Sequence, residues 1–440
     1  MNAPHQRIKE QALDIFQNAV AGVDPKAVVG RALSELDEEI RRFSRIYVVG
    51  FGKAALPMAE AARDAVKDRL AGGVVVTKHG HGGSVTGIEV IEAGHPIPDE
   101  DGAAGTRRII DLVTGRSPDD LVLVLISGGG SALTGLGDDG LTLDDLAGAN
   151  RLLIGSPADI YEINTVRKHL SAFSGGRLAR HIRPARVIAL ILSDVVGDDI
   201  SVIASGPTAP DQTTFADALG VLKKYGLSDR VPPAVAGHLA AGAAGRVAET
   251  PKPGDPVFAG VTNLIVGSAA TALSAAQRRA GDLGFSALVL SSSFTGDTHE
   301  LARFHAAVAR EVSRYGRPAP PPACVISGGE TTLTVTGSGS GGRNTECALV
   351  FARETAGAHG IFGLFCGSDG TDGPTDAAGA FAAPDTISRA REKGLDADRY
   401  LADNDSYAFF QALGDLIKTG PTRTNVMDIR LVFVTREASR

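Results

Sequence analysis

The chain has 440 residues, 43% of them hydrophobic and 22% charged, which is enough apolar material for two domains with buried cores. Its formal net charge of -7, without any run rich in lysine and arginine, argues against nucleic acid as a partner. Three cysteines without CxxC spacing argue against a zinc site and a disulfide framework, and no segment has the pattern of a signal peptide or a membrane span. We therefore expect a cytoplasmic protein with no membrane contact.

The first half of the chain predicts a Rossmann-like domain. Apolar residues recur at helical spacing from Ile8 to Ala19, and a second helix is predicted from Pro25 to Leu36, so the chain begins with a helical hairpin. From Arg45 onward, short apolar runs such as IYVVG, GGVVVTK and LVLVLIS alternate with helical stretches. Buried strands separated by helices indicate a doubly wound parallel sheet.

The second half predicts a smaller α/β domain with a mixed sheet. Proline and glycine accumulate between Val231 and Gly260, where we expect a linker or a crossover instead of regular structure. The strands predicted beyond it are Leu264–Val266, Ser286–Leu290, Cys324–Ser327, Leu333–Thr336, Ile361–Gly367 and Leu431–Val434. We therefore place the Rossmann-like domain with its leading helices at residues 1–245 and the α/β domain at residues 246–440.

Two glycine-rich loops follow buried strands and are typical of phosphate sites. The first, GFGKAA, contains Lys53 and opens a helix whose free N–H groups favour an anion. The second, SGGGSA, can form a nest of backbone donors. The nucleotide-binding candidates are Gly50, Gly52, Ser127, Gly128, Gly129, Gly130 and Ser131. GFGKAA also fits the dinucleotide pattern GxGxxA, but the next strand ends in TKH without an acidic residue, which weakens NAD and leaves NADPH open.

Two charged residues of the first domain are further candidates. Asp194 ends the predicted strand VIALILSD, where a carboxylate can bind magnesium or act as a base, although capping of the next turn explains it equally well. Arg167 lies in the helical segment INTVRKHLS, whose charges cannot all face one ligand. We take Asp194 as a catalytic and metal-binding candidate and Arg167 as a substrate-binding candidate.

The second domain supplies its own candidates after strands and glycines. Arg343 and Asn344 follow a glycine-rich run, and an arginine there can stabilise a transferred phosphoryl group, or form a salt bridge that caps the helix. Glu330 ends a predicted strand, and with Asn344 it is a substrate-binding candidate. Asp369 in GSDGTDG is a metal candidate, for which an Asx turn is the alternative. Arg343 is the catalytic candidate of this domain.

The chain resembles the class II glycerate kinases, the glycerate 2-kinases whose C-terminal portion carries the MOFRL signature. The strings that carry the resemblance are VVGFGKAA, EAGHPIPDE, LISGGGSAL, INTVRKHLS with SGGRLA, ILSDVVGDD with IASGPTAPD, ISGGETT, GGRNTE, GSDGTDGPTDAAGA and TNVMDIRLV. They run in order from Val48 to Val432, with the MOFRL-like segment at about residues 320–435. GPTRTN differs from the family pattern, because it has Arg423 where glycine is usual.

This resemblance implies a reaction and its site. It implies ATP-dependent phosphorylation of the 2-hydroxyl of D-glycerate with Mg²⁺, in an active site in the cleft between the two domains. The lysine of GFGKAA and the arginine of GGRN, proposed as active-site residues in family members, are Lys53 and Arg343 here. Glycerate and ATP are the expected partners, and a homodimer stays open.

Two other functions stay open at this point. The first is an NADPH-dependent hydroxypyruvate reductase, a label often attached to relatives of this family and supported by the GxGxxA pattern. The second is a nucleotide-binding protein without catalysis, although a lysine and an arginine at the expected positions argue against it.

Overall fold

The structure, a computed structural model, describes residues 3–436, which form two compact units. The first unit runs from Pro25 to Val266, and we call it the continuous unit. The second joins the segment that ends at Asp24 to the segment that begins at Gly267, and we call it the discontinuous unit. The division therefore differs from the predicted boundary after residue 245. The first helix, α1 (Ala3–Ala21), also lies in a different unit from the second, so the predicted helical hairpin is wrong.

The continuous unit contains a sheet with helices around it. Its strands are β1 (Arg45–Phe51), β2 (Leu70–Lys78), β3 (Glu89–Ala93), β4 (Asp120–Ile126), β5 (Arg186–Leu192) and β6 (Val261–Gly267). Its helices are α2 (Pro25–Glu35), α3 (Asp37–Ile40), α4 (Ala55–Val66), α5 (Glu100–Val113), α6 (Gly130–Leu133), α7 (Leu143–Ile154), α8 (Ile160–Leu170), α9 (Arg177–Ile182), α10 (Phe215–Lys224) and α11 (Pro233–Ala243).

The order of strands in this sheet is β3-β2-β1-β4-β5-β6, and β1 pairs in parallel with β2 and β4. Every residue of β4 is buried, as the continuous apolar run LVLVLI predicts for a strand covered on both faces. The Rossmann-like class is confirmed. The strand at Leu264–Val266 was assigned to the wrong domain, because it is part of β6 at the edge of this sheet. Arg186 of the neighbouring β5 anchors it by donating to Gly260 O over 2.8 Å and to Thr262 Oγ1 over 2.7 Å.

The region from Val231 to Gly260 is not simply a linker, because it contains α11. Pro233 is the first residue of this helix, a position where the missing N–H of proline costs nothing. The alanine-rich sequence that follows has high helix propensity, and Val235 and Leu239 are buried. The prolines therefore mark the start of a helix instead of preventing one.

The discontinuous unit contains the predicted mixed sheet. Its strands are β7 (Ser286–Phe294), β8 (Ala323–Gly329), β9 (Ile361–Gly367), β10 (Gly379–Ala382), β11 (Leu416–Ile417) and β12 (Asp428–Val434), in the order β11-β10-β9-β12-β8-β7. Its helices besides α1 are α12 (Ala269–Asp282), α13 (Thr298–Tyr315), α14 (Arg343–Glu354), α15 (Thr386–Glu392), α16 (Ala397–Ala402) and α17 (Ser406–Leu413). β7 and β8 are parallel, whereas β12 is antiparallel to both of its neighbours.

The strand predicted at Leu333–Thr336 does not exist, although the residues alternate as a strand would. The side chain of Asn404 satisfies the main chain here, since its Oδ1 accepts hydrogen bonds from Thr336 N over 2.8 Å and Gly337 N over 2.9 Å. Val335 is 67% exposed, so the alternating pattern has no core to face. The segment is a loop for these two reasons.

Helix α1 belongs to the discontinuous unit because its apolar face packs against α12. The predicted face from Ile8 to Ala19 is buried, and Asp14 Oδ2 accepts a hydrogen bond from Arg279 Nε over 2.9 Å. Gly22, directly after the end of α1, allows close contact with α12, since a Cβ atom there would lie 2.7 Å from Ala275 Cβ. Within residues 3–436, no helix has both the length and the apolar character that crossing a bilayer requires.

Candidate functional site

Two loops meet where the strand order of the first sheet reverses, between β1 and β4. In doubly wound sheets, ligands bind in the crevice beyond the carboxyl ends of the strands at such a point. Lys53 N donates to Gly128 O over 3.0 Å, and Ala54 N donates to Ser127 Oγ over 3.1 Å. These bonds hold the loop after β1 against the loop after β4.

Gly52 makes the close approach of these loops possible. Its φ is +126°, and a Cβ atom there would lie 2.2 Å from Ser127 Oγ, so a side chain cannot be accommodated. Gly50 lies inside β1, where a Cβ atom would lie 3.0 Å from Leu125 Cβ and 3.1 Å from Val75 Cγ1. Gly52 is therefore needed for the contact between the two loops. Gly50 is small because it packs between neighbouring strands, and its position gives no support to a phosphate contact.

The segment Gly129–Ser131, which we call the glycine loop, presents its main chain as a set of donors. Gly129 has a φ of +84°, and α6 begins at Gly130. Within the described part of the chain, the N–H groups of Gly129, Gly130 and Ser131 donate to no main-chain acceptor. Unpaired N–H groups on a turn of this kind are suited to phosphate oxygens.

Three ionisable side chains lie around the glycine loop. A Cβ atom on Gly129 would lie 2.9 Å from His95 Nε2 and 3.4 Å from Lys53 Cε, and one on Gly128 would lie 1.9 Å from Asp194 Oδ2. Lys53 is half-buried, and it forms no salt bridge with any residue between 3 and 436. The structure thus brings together Lys53, Asp194 and the glycine loop, which the sequence patterns had placed after three different strands.

His95 is a residue of this site to which the sequence patterns assigned no role. Burial, followed by the positive charges of Lys53 and Lys78, lowers the pKa of His95 to about 4. The imidazole is therefore neutral at neutral pH, and one ring nitrogen can accept a proton. The signal in the sequence was its position, because His95 follows β3 closely and the carboxyl ends of parallel strands share one edge of the sheet.

A cavity of about 290 Å³ lies beside the glycine loop, entirely within the continuous unit. Helices α7 and α8 form much of its wall, and each begins with a capping box that fixes its first turn. The aliphatic residues of the wall are Ala132, Leu136, Leu146, Ala149, Leu153, Ile154 and Leu170. The polar residues include His95, Ser131, Asn150, Arg167, Ser174 and Ser205.

Arg167 lines this cavity without a carboxylate partner among residues 3–436. Its Nε donates to Asn150 Oδ1 over 2.5 Å, and burial lowers its pKa. The adjacent Lys168 is engaged elsewhere, because its Nζ lies 3.3 Å from Asp211 Oδ1. Of these two charged side chains, only that of Arg167 lines the cavity. This agrees with helix geometry, because adjacent side chains on a helix point in different directions.

Ser205 is a second residue that the sequence patterns did not single out. Its φ is +60° and that of Ala204 is +49°, a region that residues with side chains rarely adopt. Ser205 Oγ lies 2.8 Å from Ser131 Oγ and 3.3 Å from Asn164 Oδ1. Strained main chain of this kind is concentrated at ligand sites. The string IASGPTAPD contains this residue, but its composition alone does not reveal the conformation.

In the discontinuous unit, Arg343 is the first residue of α14 and is held by two carboxylates. Its Nε lies 2.7 Å from Asp428 Oδ2, and its Nη1 lies 2.8 Å from Glu330 Oε1. Although burial opposes the charge, these carboxylates raise the pKa of Arg343 further. A cation is unfavourable at the positive end of a helix, so the ion pairs are needed to keep it there. This geometry fits a catalytic arginine and also fits the salt bridge considered as its alternative.

Asn344, a substrate-binding candidate, is buried between two carboxylates. Its Nδ2 donates to Asp428 Oδ1 over 2.9 Å and to Asp372 Oδ1 over 3.2 Å. Asp372 also accepts from Asn344 N over 2.9 Å and from Thr345 N over 2.8 Å, which fixes the first turn of α14. Burial raises the pKa of Asp372. These contacts give Asn344 a bracing role, and its contact with substrate stays a prediction.

Asp369 lies close to Asn344, since a Cβ atom on Gly367 would lie 3.3 Å from Asp369 Oδ1 and 3.6 Å from Asn344 Nδ2. Asp369 Oδ1 accepts hydrogen bonds from Thr371 N and Thr371 Oγ1, each over 3.0 Å, which is the Asx-turn geometry. Neither Asp369 nor Asp194 belongs to a group of three described ligands that could hold a metal ion alone. Magnesium commonly takes one or two carboxylates together with phosphate oxygens and water, so a single carboxylate beside a phosphate loop fits it.

Two family models match the chain. Residues 11–240 match a model described as a domain of unknown function, DUF4147, and residues 323–428 match the MOFRL family. The second match contains Glu330, Arg343, Asn344 and Asp369. The first contains the glycine loop.

Relatives and a solved structure match along almost the whole chain. The glycerate 2-kinase of Pyrococcus horikoshii is 40% identical over 441 residues, covering 98% of this chain and 99% of that protein. A putative hydroxypyruvate reductase of Agrobacterium vitis is 44% identical over 422 residues, covering 96% and 93%. The crystal structure of glycerate kinase from Thermotoga maritima superimposes with a TM-score of 0.90 at 40% identity, covering 98% of this chain and 100% of that one.

Proposed function

This chain belongs to the family of glycerate kinases with a MOFRL segment, and from that membership we infer that it is a glycerate 2-kinase. It transfers the γ-phosphoryl group of ATP to the 2-hydroxyl of D-glycerate, giving 2-phosphoglycerate and ADP. The observation that supports this reaction most directly is the glycine loop, whose N–H groups have no main-chain acceptor and lie beside the half-buried side chain of Lys53. That arrangement suits the phosphates of a nucleotide.

The residues of the continuous unit act on the nucleotide in this proposal. The N–H groups of the glycine loop bind phosphate oxygens, and Lys53 neutralises charge on the group being transferred. Phosphoryl transfer passes through a loose transition state, so the protein contributes chiefly by positioning and by electrostatic stabilisation. Lys53 forms no salt bridge among the described residues, so its ammonium group can pair with phosphate oxygens.

Arg343 supplies the second cation in this proposal. Charge spreads over the oxygens of the phosphoryl group as it moves, and a guanidinium held in one orientation stabilises that charge. Glu330 and Asp428 hold Arg343 through its Nη1 and Nε, and Asn344 braces Asp428. Glu330 and Asn344 therefore act through Arg343.

The donor set around the glycine loop also fits a magnesium ion. The half-buried carboxylate of Asp194 lies against Gly128, and we assign it as the protein ligand, with Asp369 as the second candidate. A bound magnesium ion neutralises phosphate charge and orients the γ-phosphoryl group. The role of Asp194 is to hold the ion at the loop, and a carboxylate oxygen is the ligand type that magnesium prefers.

A paired assay on the purified protein tests the reaction. One arm contains ATP, magnesium and D-glycerate, and it measures ADP release with phosphorus NMR to locate the phosphate on the product. The other arm contains NADPH and hydroxypyruvate, and it measures NADPH oxidation. Glycerate-dependent ADP release with 2-phosphoglycerate as product supports the kinase. Absence of phosphoryl transfer would contradict it.

The hydroxypyruvate reductase remains the second candidate, because two relatives carry that name and the strand order of the continuous unit is the order of dinucleotide-binding folds. The substitution Lys53→Met distinguishes the kinase from the reductase. Lys223→Met is the control, because Lys223 is an exposed lysine on α10. In the kinase, Lys53→Met lowers kcat/KM by about 10²-fold or more, as loss of a preorganised charge does, and Lys223→Met leaves it unchanged. NADPH oxidation in the unmodified protein without phosphoryl transfer would instead establish the reductase.

A further inference from the structure

The cavity beside the glycine loop is lined by a cation at one place and by neutral hydrogen-bonding groups at another. At one place, Arg167 and Asn150 are joined by the hydrogen bond from Arg167 Nε to Asn150 Oδ1. At the other, His95 and Ser131 lie at the glycine loop itself. The wall between them includes aliphatic side chains from α7 and α8. A ligand that fills this cavity therefore meets a cation and a set of neutral acceptors and donors.

The cation implies an anionic ligand. The guanidinium of Arg167 is partly buried, and within residues 3–436 it forms no ion pair, so a negative group in the cavity would compensate the solvation that burial removes. Its Nη1 and Nη2 donate to no acceptor among those residues. These two nitrogens are the pair with which arginine binds both oxygens of a carboxylate. The bond to Asn150 holds Nε and so orients the guanidinium for that purpose.

The glycine-loop end of the cavity suits a hydroxyl group that reacts. His95 Nε2 would lie 2.9 Å from a Cβ atom on Gly129, and Lys53 Cε would lie 3.4 Å from it, so the imidazole and the lysine side chain approach the same main-chain atom. Burial disfavours a positive charge on His95, and the charge of Lys53 adds to this effect, so His95 stays neutral. A neutral imidazole within reach of a hydroxyl can act as a general base.

We propose that this cavity is the hydroxy-acid subsite, in which Arg167 pairs with the carboxylate and His95 accepts the proton of the hydroxyl that becomes phosphorylated. The inference depends on the proposed kinase function. In the step, the O–H bond breaks and its proton passes to His95, while the hydroxyl oxygen forms a bond to the γ-phosphorus. The bond between the γ-phosphorus and the bridging oxygen breaks, and its electron pair leaves with ADP.

The assignment of Arg167 is tested by removing either partner of the proposed ion pair, the guanidinium from the protein or the carboxylate from the substrate. Arg167→Met is compared with the unmodified protein, with D-glycerate and with glycerol, which has the hydroxyls but no carboxylate. We expect kcat/KM for D-glycerate to fall by about 10- to 100-fold, the loss of hydrogen bonds to a charged group, while the low value for glycerol and the KM for ATP stay unchanged. Arg151→Met is the control, because Arg151 lies next to Asn150 on α7 but is exposed and does not line the cavity.

Equal losses for D-glycerate and glycerol in Arg167→Met would overturn the carboxylate pairing. Arg167→Lys provides a second variant that keeps the charge, and it should recover part of the preference for D-glycerate. A rise in the KM for ATP with an unchanged KM for D-glycerate would also overturn the assignment, because it would make the cavity a nucleotide subsite.

The assignment of His95 is tested by His95→Asn, with His79→Gln as the control on a histidine that is 54% exposed after β2. We expect His95→Asn to lower kcat by about 10²- to 10⁴-fold, the contribution of a general base, with the KM for D-glycerate changed by less than about threefold. An unchanged kcat in a folded His95→Asn protein overturns the role of His95 while leaving the kinase intact. If the unmodified protein itself transfers no phosphoryl group to D-glycerate, the proposed function fails, and this inference fails with it.

Discussion

Arg343 and Arg430 share one carboxylate oxygen, because Arg343 Nε lies 2.7 Å and Arg430 Nη2 lies 2.9 Å from Asp428 Oδ2. Asp428 is fully buried and Arg430 is 1% exposed. A buried carboxylate left without a counter-charge strongly destabilises a fold. The second arginine means that Asp428 keeps a partner when the first is removed. The electrostatic and structural roles of Arg343 can therefore be separated by substitution.

Arg343→Ala should lower kcat by about 10³-fold, which is the scale of an arginine that stabilises a transferred phosphoryl group. The free energy of unfolding should change by less than about 1 kcal/mol, because Arg430 and Asn344 still satisfy Asp428. Steady-state kinetics and urea unfolding measure the two effects. Arg353→Ala is the control, since this arginine lies on the same helix with a similar exposed fraction, 32% against 33%. Near-normal turnover in Arg343→Ala would contradict the catalytic role.

Gly52→Ala should destabilise the protein and reduce nucleotide binding. The new methyl group would lie 2.2 Å from Ser127 Oγ at a φ of +126°, so the two loops must separate. We expect a loss of about 2 to 4 kcal/mol in the free energy of unfolding. Gly220→Ala on α10 is the matched control, because a Cβ atom there meets nothing within 4 Å. That change should stabilise the protein by about 0.5 to 1 kcal/mol, since alanine favours a helix. Equal effects of the two substitutions on urea unfolding would exclude the close approach as the reason for Gly52.

Arg423→Gly should stabilise the protein. Arg423 is exposed and has a φ of +62°, a conformation that costs a residue with a side chain about 1 kcal/mol and that glycine adopts freely. The structure thus explains why glycine is usual here in the family that the sequence resembles. We expect a gain of about 0.5 to 1 kcal/mol in urea unfolding with unchanged kinetics. Arg423→Ala, which keeps a Cβ atom, should show none of this gain.

His305 should make the protein less stable in mild acid. Its Nδ1 lies 2.9 Å from Leu301 O and its Nε2 lies 2.7 Å from Ser327 Oγ, and burial lowers its pKa to about 4 from 6.5. The folded state therefore binds a proton less readily than the unfolded state. Stability is full above pH 6.5 and is lost as pH falls toward 4, with about 2 kcal/mol lost by pH 5 from this group.

The comparison that isolates this effect is urea unfolding at pH 7 and pH 5 for the unmodified protein and for His305→Gln. Glutamine has no proton to gain in this range, so the variant should lose less stability between the two pH values. If both proteins lose the same amount, His305 does not produce the acid sensitivity.

The parts of the fold that could be predicted are those with a local cause. β4 and the start of α8 follow from a continuous apolar run and from a capping box within a few residues. The edge strand β6 and the partner of α1 depend on contacts between segments far apart in the chain, which no local pattern contains. The short strands β10 and β11 were missed, because they are too brief to show an alternation.

The candidate site shows the same division. Lys53 and the glycine loop are candidates from the sequence alone because phosphate binding has a characteristic local pattern, and their role stays a prediction. His95 and Ser205 could not be assigned in this way, since their significance depends on the neighbours that the fold supplies. For Ser205 that neighbour is Ser131, and the left-handed conformation that brings them together has no signature in residue type. Glycine motifs therefore locate such a site, and the fold supplies the residues that complete it.

The contact of α1 with α12 has a consequence for the way the protein is made. A ribosome completes α1 first, and it must then synthesise the whole continuous unit before the partner helix emerges. At about 5 to 20 residues per second, this delay lasts roughly ten seconds to a minute. During that time the buried face from Ile8 to Ala19 has no native partner, and it is available to nascent-chain chaperones. The continuous unit, in contrast, can fold while the remaining chain is still being translated.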